Sequence, residues 1–339
     1  MATLGTGRYT LVDHLSVLGP DFKLAPEVSL ISKASPEAAL FPWKPANDPL
    51  GSFHEVTIET GLPAVSYVGW NEGVAPSKGT RAKARFPLAK MKTLAKHQRG
   101  ELEGIGGSEV RARAMSQHMR ALANQFSSDF WSIDNRTSGN EKAFRGLQTF
   151  FASTTGDTGG NVILGGGAGS DNTSLWLIGA GEEGVHCTFS PTHQLGIKEN
   201  LGTGYSWLPD ENDSTKMAEY IVDEWAWSVG VVVADWTRVS RIPNLDVSNM
   251  NANSSAPDLI SLGIKAKHAA KALERGSLNY MWFCNRTTYG YLEVLARSEI
   301  KAGAGGFGTT MWEGQSVMTF HNYPVIVTDG IGIAETLVA

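Results

Sequence analysis

The chain has 339 residues, 42% of them hydrophobic, with 29 Lys plus Arg against 34 Asp plus Glu and a formal net charge of -5. That balance argues against a protein whose main task is to grip nucleic acid through its phosphates, which usually calls for a clearly basic surface, and leaves containers untouched. The composition also excludes wholesale disorder, and the length allows one elaborated unit or two domains.

Residues 1 to about 50 hold six of the 14 prolines, at positions 20, 26, 36, 42, 45 and 49. Proline removes a backbone donor and fixes its own φ, so this stretch reads as an extended arm. Its apolar residues Phe22, Leu24, Val28, Leu30, Ile31, Leu40, Phe41 and Trp43 need cover that an extended chain cannot supply to itself. The arm therefore lies across its own domain or across a neighbour.

From Phe53 the pattern alternates through Val56 and Ile58, breaks at Thr60-Gly61-Leu62-Pro63, and resumes with Val65, Tyr67 and Trp70. A period of two with a Gly/Pro interruption predicts a long β-hairpin. Its continuation, Lys78 to Gly100, carries eight Lys or Arg residues, at 78, 81, 83, 85, 90, 92, 96 and 99, and no acid. A solvated basic face and a loop that pairs with acidic surface on another subunit both fit that run.

Gly106-Gly107, Ser108 and Glu109 predict a helix start with Ser108 as N-cap. Met115, Met119, Leu122, Phe126, Phe130 and Ile133 then recur at spacings of four and three, an apolar stripe for core packing that carries the helix to Ile133. Residues 156 to 170 are glycine-rich and read as a flexible loop. Leu175 to about Ile242 reads as β-rich with one or two short helices and includes the apolar run Trp225 to Ala234, far short of the roughly 20 residues of a membrane helix. Ala256-Pro257-Asp258 opens a helix to about Arg275 with Leu259, Leu262, Ala266, Ala269 and Leu273 on its apolar face. Tyr280 to Phe283 reads as a strand and Thr287 to Arg297 as a short helix. Val317, Thr319 and Phe320 with Pro324 to Thr328 close the chain as a hairpin or strand pair.

Few motifs carry chemistry. Gly179-Ala180-Gly181-Glu182-Glu183-Gly184 has the letters of a dinucleotide loop, but a helix must follow to hold the pyrophosphate. Val185 to Phe189 is strand-like instead, and two glutamates would repel phosphate. His186, Cys187 and His193 are close in sequence, yet neighbours on a strand point to opposite faces and no second ligand pair exists. Two cysteines, Cys187 and Cys284, read as free thiols. Asn-x-Ser/Thr triplets at Asn135, Asn172, Asn212, Asn253 and Asn285 read as turn polarity. The expectation is a non-enzyme with no catalytic residues, no cofactor, no metal and no membrane.

Several stretches, in chain order, resemble the major capsid proteins of tailed bacteriophages with the Hong Kong ninety-seven type fold. The most specific is Thr60-Gly61-Leu62-Pro63 followed by Trp70-Asn71-Glu72-Gly73-Val74-Ala75-Pro76-Ser77-Lys78-Gly79-Thr80. Others are Leu175-Trp176-Leu177-Ile178-Gly179 running into Glu183-Gly184-Val185-His186, then Ala234 to Ile242 with Asn244 to Asn249, and the terminal Tyr323 to Asp329. The segment after Thr80 is more basic than this branch of the family leads one to expect.

The resemblance implies an α+β capsid fold: an N-terminal arm over 1–50, an extended hairpin loop over 51–100, and a peripheral domain with a spine helix over 101–150. It further implies a β-rich axial domain over 151–250 and a return through the peripheral domain and C-terminal strands over 251–339. The implied function is self-assembly into hexamers and pentamers of an icosahedral shell around double-stranded DNA, put together in the host bacterial cytoplasm. Partners are then sister copies, a separate scaffolding protein, a portal, a decoration protein, and DNA touched non-specifically. The residues expected at subunit interfaces are Phe22, Leu30, Phe41, Trp43, Trp70, Lys78, Arg81, Lys83 and Arg85. An encapsulin-type compartment, a nicotinamide-dependent oxidoreductase resting on Gly179 to Gly184, and a phage decoration or tail protein are the competing readings.

Overall fold

The computed structural model describes residues 35–103, 107–132, 142–192, 196–199, 205–209, 215–252, 256–274, 278–302, 306–312 and 315–339. Phe22 and Leu30 of the arm, His193, and Ile133 at the end of the helical stripe lie outside them.

In chain order the strands are β1 (Trp43–Pro45), β2 (Phe53–Gly61), β3 (Thr80–Pro87), β4 (Ala89–Gln98), β5 (Asn172–Ala180), β6 (Val185–Phe189) and β7 (Gly196–Glu199). They continue with β8 (Ser206–Pro209), β9 (Met217–Val233), β10 (Val239–Asp246), β11 (Asn279–Cys284), β12 (Phe307–Trp312), β13 (Gln315–Phe320) and β14 (Tyr323–Val327). Twelve of them form one sheet in the order β12-β13-β14-β11-β5-β6-β9-β4, with β10 beside β5, β1 beside β6, and β7 and β8 beside β9. β2 and β3 stand apart as a two-stranded ribbon.

Strand β5 is buried along all nine residues. Alternate side chains of a strand point to opposite faces, so Trp176 and Ile178 enter one core and Leu175 and Leu177 the other. The first core is closed by helix α1 (Gly107–Trp131), which brings Phe126, Phe130 and Trp131 against Phe41, Phe283 and the valines of β9. The second is closed by α2 (Leu259–Ala269) and α3 (Arg286–Ala302), which contribute Leu259, Ala266 and Leu292 opposite Trp282 and Phe320. This second core draws on residues from Leu175 to Val325.

The elements follow the sequence pattern with physical corrections. α1 begins at Gly107, so Ser108 is a helical residue rather than the cap. Asp258 caps α2, its carboxylate accepting from the Ser261 N–H at 3.2 Å, but the helix stops at Ala269, well short of Arg275. Lys271 has a φ of +48°, a left-handed conformation that does not continue a helix. α3 starts one residue earlier than expected, where Asn285 caps it, and runs on to Ala302: the Asn285 side-chain oxygen accepts from the Thr288 N–H at 2.8 Å while its amide donates to Thr173 Oγ1 at 2.9 Å. Asn285 and Asn172 are buried structural groups, not turn polarity. The middle of the chain is β-rich as expected, and among its described residues the short helix is one 3-10 turn, Trp236–Arg238. β13 and β14 pair antiparallel across His321 and Asn322, both with positive φ, the geometry of a two-residue hairpin turn.

The glycine-rich loop is not a slack connection. The N–H groups of Ile163, Gly165 and Gly167 donate to the carbonyls of Arg241, Pro243 and Asn244, covering the edge of β10. A Cβ at Gly165 would lie 2.9 Å from the backbone carbonyl oxygens of both Asn244 and Pro243, so the close approach requires glycine there.

The C-terminal tail is tied into this frame by charge. Arg241, 1% exposed, meets Glu335 at 3.0 Å, and also donates to Ser174 Oγ and to the Phe151 carbonyl. Gln148 and Ser174 donate to the same carboxylate. Burial pushes the Glu335 pKa up and the Arg241 pKa down, each opposed by the partner's charge. Asn244 exchanges two further hydrogen bonds with the backbone of Val338. Breaking a buried pair strands the remaining charge at a cost of about 3–5 kcal/mol. Glu335→Ala is expected to lose that much in urea unfolding, and a loss of ~1 kcal/mol or less, the level of an exposed pair, would contradict the assignment.

Candidate subunit interface

The β2–β3 ribbon leaves the body at a root held by local bonds. Asn47 exchanges two hydrogen bonds with the backbone of Glu55, at 2.7 and 2.8 Å, and the Leu88 N–H donates to the Ser52 carbonyl. Cross-strand pairs then sort the ribbon into two faces. His54 with Phe86, Val56 with Ala84 and Ile58 with Ala82 make an apolar face, of which Phe86, Val56 and Ala84 reach the first core. Glu55 with Arg85, Thr57 with Lys83 and Glu59 with Arg81 make a charged face. Glu55 takes ion pairs from both Arg85 and Lys83, and Arg85 also stacks over the Phe53 ring at 5.0 Å. The Arg85 guanidinium, with Lys83 behind it, holds the Glu55 carboxyl below its ordinary range.

The paired ribbon ends at Gly61 and Thr80, so the apolar alternation through Val65, Tyr67 and Trp70 does not make strand. Residues 62–79 form a long tip instead. Glu72 folds back on Gly69 through two hydrogen bonds, Asn71 takes a left-handed φ of +68°, and Ser77 Oγ donates to the Ala64 carbonyl at 3.0 Å. The tip presents Leu62, Val65, Tyr67 and Trp70 to solvent, each at least 81% exposed.

The expected interface residues separate accordingly. Trp70 stands free at the tip. Lys78 and Arg81 are exposed and form no ion pair among the described residues. Lys83 and Arg85 find an acid, Glu55, on the opposite strand of their own ribbon. The basic run also leaves the hairpin at Pro87: Lys92 pairs with Glu224 and Arg99 with Glu219 and Glu103, all within the body of the chain. Phe41 is 1% exposed, between Phe130 and Phe283, so it has no surface left for a neighbour. Trp43 is half-buried, donating to the Ala38 carbonyl at 2.7 Å. Sequence reasoning missed Leu62 and Tyr67 as surface groups and the acids Glu55 and Glu59. The same period of two that marks the basic residues of β3 also marks those acids on β2.

The Gly179 to Gly184 turn joins β5 directly to β6, with the Gly181 N–H donating to the Val185 carbonyl. A strand follows where a dinucleotide loop needs a helix. His186 sits on β6 under the hairpin root, its ring 5.6 Å from that of His54 in an edge-to-face contact. Lys44 on β1, which pairs with Glu182 at 2.8 Å, faces the same two rings. Both imidazoles are held below the ordinary histidine range, His186 at about 4. Burial is the main cause; the Lys44 charge adds to it, and for His186 so does His54, while Glu182 works the other way.

Three observations now stand together: one sheet between two cores, the long helix α1 over the first, and a ribbon with an uncovered aromatic tip. A family model for major capsid protein GP7 matches residues 19–339. The chain belongs to this family of major capsid proteins. A solved structure of bacteriophage Epsilon15 is similar over 100% of this chain and 99% of the other, with a TM-score of 0.75 and 22% identity. The capsid of bacteriophage JBD30 is similar over 88% and 91%, with a TM-score of 0.50 and 11% identity. No curated protein sequence matches this chain. The fold of this capsid protein is thus α+β of the tailed-phage capsid type, the class the sequence led one to expect, and the chain is a component of the virion capsid.

In the capsid protein the histidine pair gives a pH dependence with a definite sign. Below about pH 6.5 the unfolded chain takes up protons that the folded chain resists, so stability falls with pH. The window runs from the ordinary histidine value down to the depressed one, about 4 for His186. Replacing His186 by Leu is expected to shrink the drop in melting temperature between about pH 7 and about pH 5, where histidine titrates. Parallel curves for the two proteins would contradict this.

Proposed function

We propose that this capsid protein assembles into hexamers and pentamers of an icosahedral shell around the double-stranded DNA of a tailed phage, and that the hairpin is the arm by which each subunit holds the next. The observation that carries this reading is the tip: Tyr67 and Trp70 are 103% and 101% exposed although the segment is held by its own hydrogen bonds. Large rigid aromatics that stay wet in the subunit are what an interface centre uses. Lys78 and Arg81 flank them as charges still open to a partner.

In this reading α1 belongs to the peripheral part, residues 151–250 supply the β-rich axial part that meets its copies around capsomer axes, and residues 251–339 return through the peripheral part. Each subunit touches several neighbours, so weak contacts add through multivalency while misplaced copies can still leave. A net charge of -5 fits an enclosing wall that touches packaged DNA only non-specifically. A scaffolding protein, a portal and a decoration protein are further partners, and assembly takes place in the host bacterial cytoplasm.

The test is electron microscopy of the full chain, expressed with the other head proteins of its phage, beside the double variant Tyr67→Asp, Trp70→Asp. Because both side chains touch only solvent in the subunit, its melting temperature should be unchanged while closed particles fall about tenfold or more, the penalty of losing interface-centre aromatics. Undiminished particle yield would sink the proposal.

A further inference from the structure

The apolar stripe of α1 is covered along only part of its length. Phe126 and Phe130 are buried, but Met115 and Met119, nearer the start of the helix, are each 37% exposed. Beside Met119 lies an open groove of about 570 Å³, lined by Ala38, Trp43, Met119, Leu122, Phe189 and Trp227 and, among the described residues, by no charged one.

We propose that this groove seats the apolar segment of the chain's own N-terminal arm, residues 22 to 31. Two features of the chain point to that occupant. Phe22, Leu24, Val28 and Leu30 alternate with Lys23, Ala25, Glu27 and Ser29 around Pro26. An extended segment of that pattern shows one apolar face and one largely polar face, which is the shape a shallow apolar groove takes. The second feature is reach. The chain enters the described structure at residue 35, and Ala38, a wall of the groove, lies eight residues after Leu30. Glu37–Leu40 is a helical turn, so the reach back from Ser35 to Leu30 is at most about 17 Å, against about 10 Å of helix from Met115 to Leu122. The arm can therefore lie along the groove without help from a second molecule. This inference stands on the groove and the arm alone, so it can fail while the shell assignment survives, and the reverse.

Cys187 and Cys284 are buried and burial pushes both thiols up, so a cysteine placed at Met119 is the one reactive thiol among the described residues. In the full chain, M119C should react with a thiol reagent about tenfold more slowly than the same variant carrying Leu30→Asp and Ile31→Asp, with equal melting temperatures. Equal labelling rates would overturn the proposal. A second variant, L30C with M119C, does not depend on the charged substitutions folding. Under mild oxidation it should form a disulfide within one chain, seen on non-reducing denaturing electrophoresis as a shifted monomer. A disulfide-linked dimer would hand the groove to a neighbour's arm, and no disulfide would leave it unoccupied by the arm; either result overturns the proposal.

Discussion

Strand β5 has no face left for water. All nine of its residues are buried, with Trp176 and Ile178 committed to one core and Leu175 and Leu177 to the other. A one-residue slip would exchange the two sets, so the register of β5 against β10 and β11 fixes both halves of the molecule at once. The tail closes the arrangement, since Glu335 gives the buried Arg241 guanidinium its counter-charge and draws the last residues against Asn244. Helices α1, α2 and α3 are then lids on a sheet whose order is already decided.

The hairpin receives little from that economy. Only its root, through Val56, Ala84 and Phe86, reaches a core. Beyond the root it is a two-stranded ribbon, which is marginal by itself in water. The ladder of Glu55, Thr57 and Glu59 against Arg85, Lys83 and Arg81 is exposed, and exposed ion pairs such as Glu55 with Arg85 and Lys83 add little. The charged face thus keeps the ribbon straight and soluble without satisfying its tip. Each large aromatic can bury about 150–250 Å², so Tyr67 and Trp70 together supply a good share of the ~800 Å² per partner of a standard interface. In the proposed shell, sister copies complete that burial.

Much of this was legible in the sequence, and the failures have physical causes. Element types came from period and caps: the Met115 to Phe130 stripe, Asp258 before α2, and the alternation in β13 and β14. Boundaries failed where a single group decides them, such as the left-handed Lys271 ending α2 or Asn285 capping α3 from inside the core. The glycine loop read as slack because composition does not show that its amides would find the carbonyls of β10. The tip read as strand because Val65, Tyr67 and Trp70 keep strand-like spacing, although no strand among the described residues pairs with them. The basic run read as one unit, whereas Pro87 separates a ribbon strand from the sheet strand β4. Phe41 read as an interface group because an arm rich in proline hides the short stretch, Glu37 to Pro45, that returns to its own core.

The account depends on Tyr67 and Trp70 being bare in the subunit and covered in the shell. Hydroxyl-radical footprinting of both forms, read by mass spectrometry at these two residues, addresses that directly. The account predicts rapid oxidation in the dissociated subunit and strong protection in assembled particles, with exposed controls such as Met311 on the edge strand changing independently of the tip. Equal oxidation of Tyr67 and Trp70 in the two forms would contradict it.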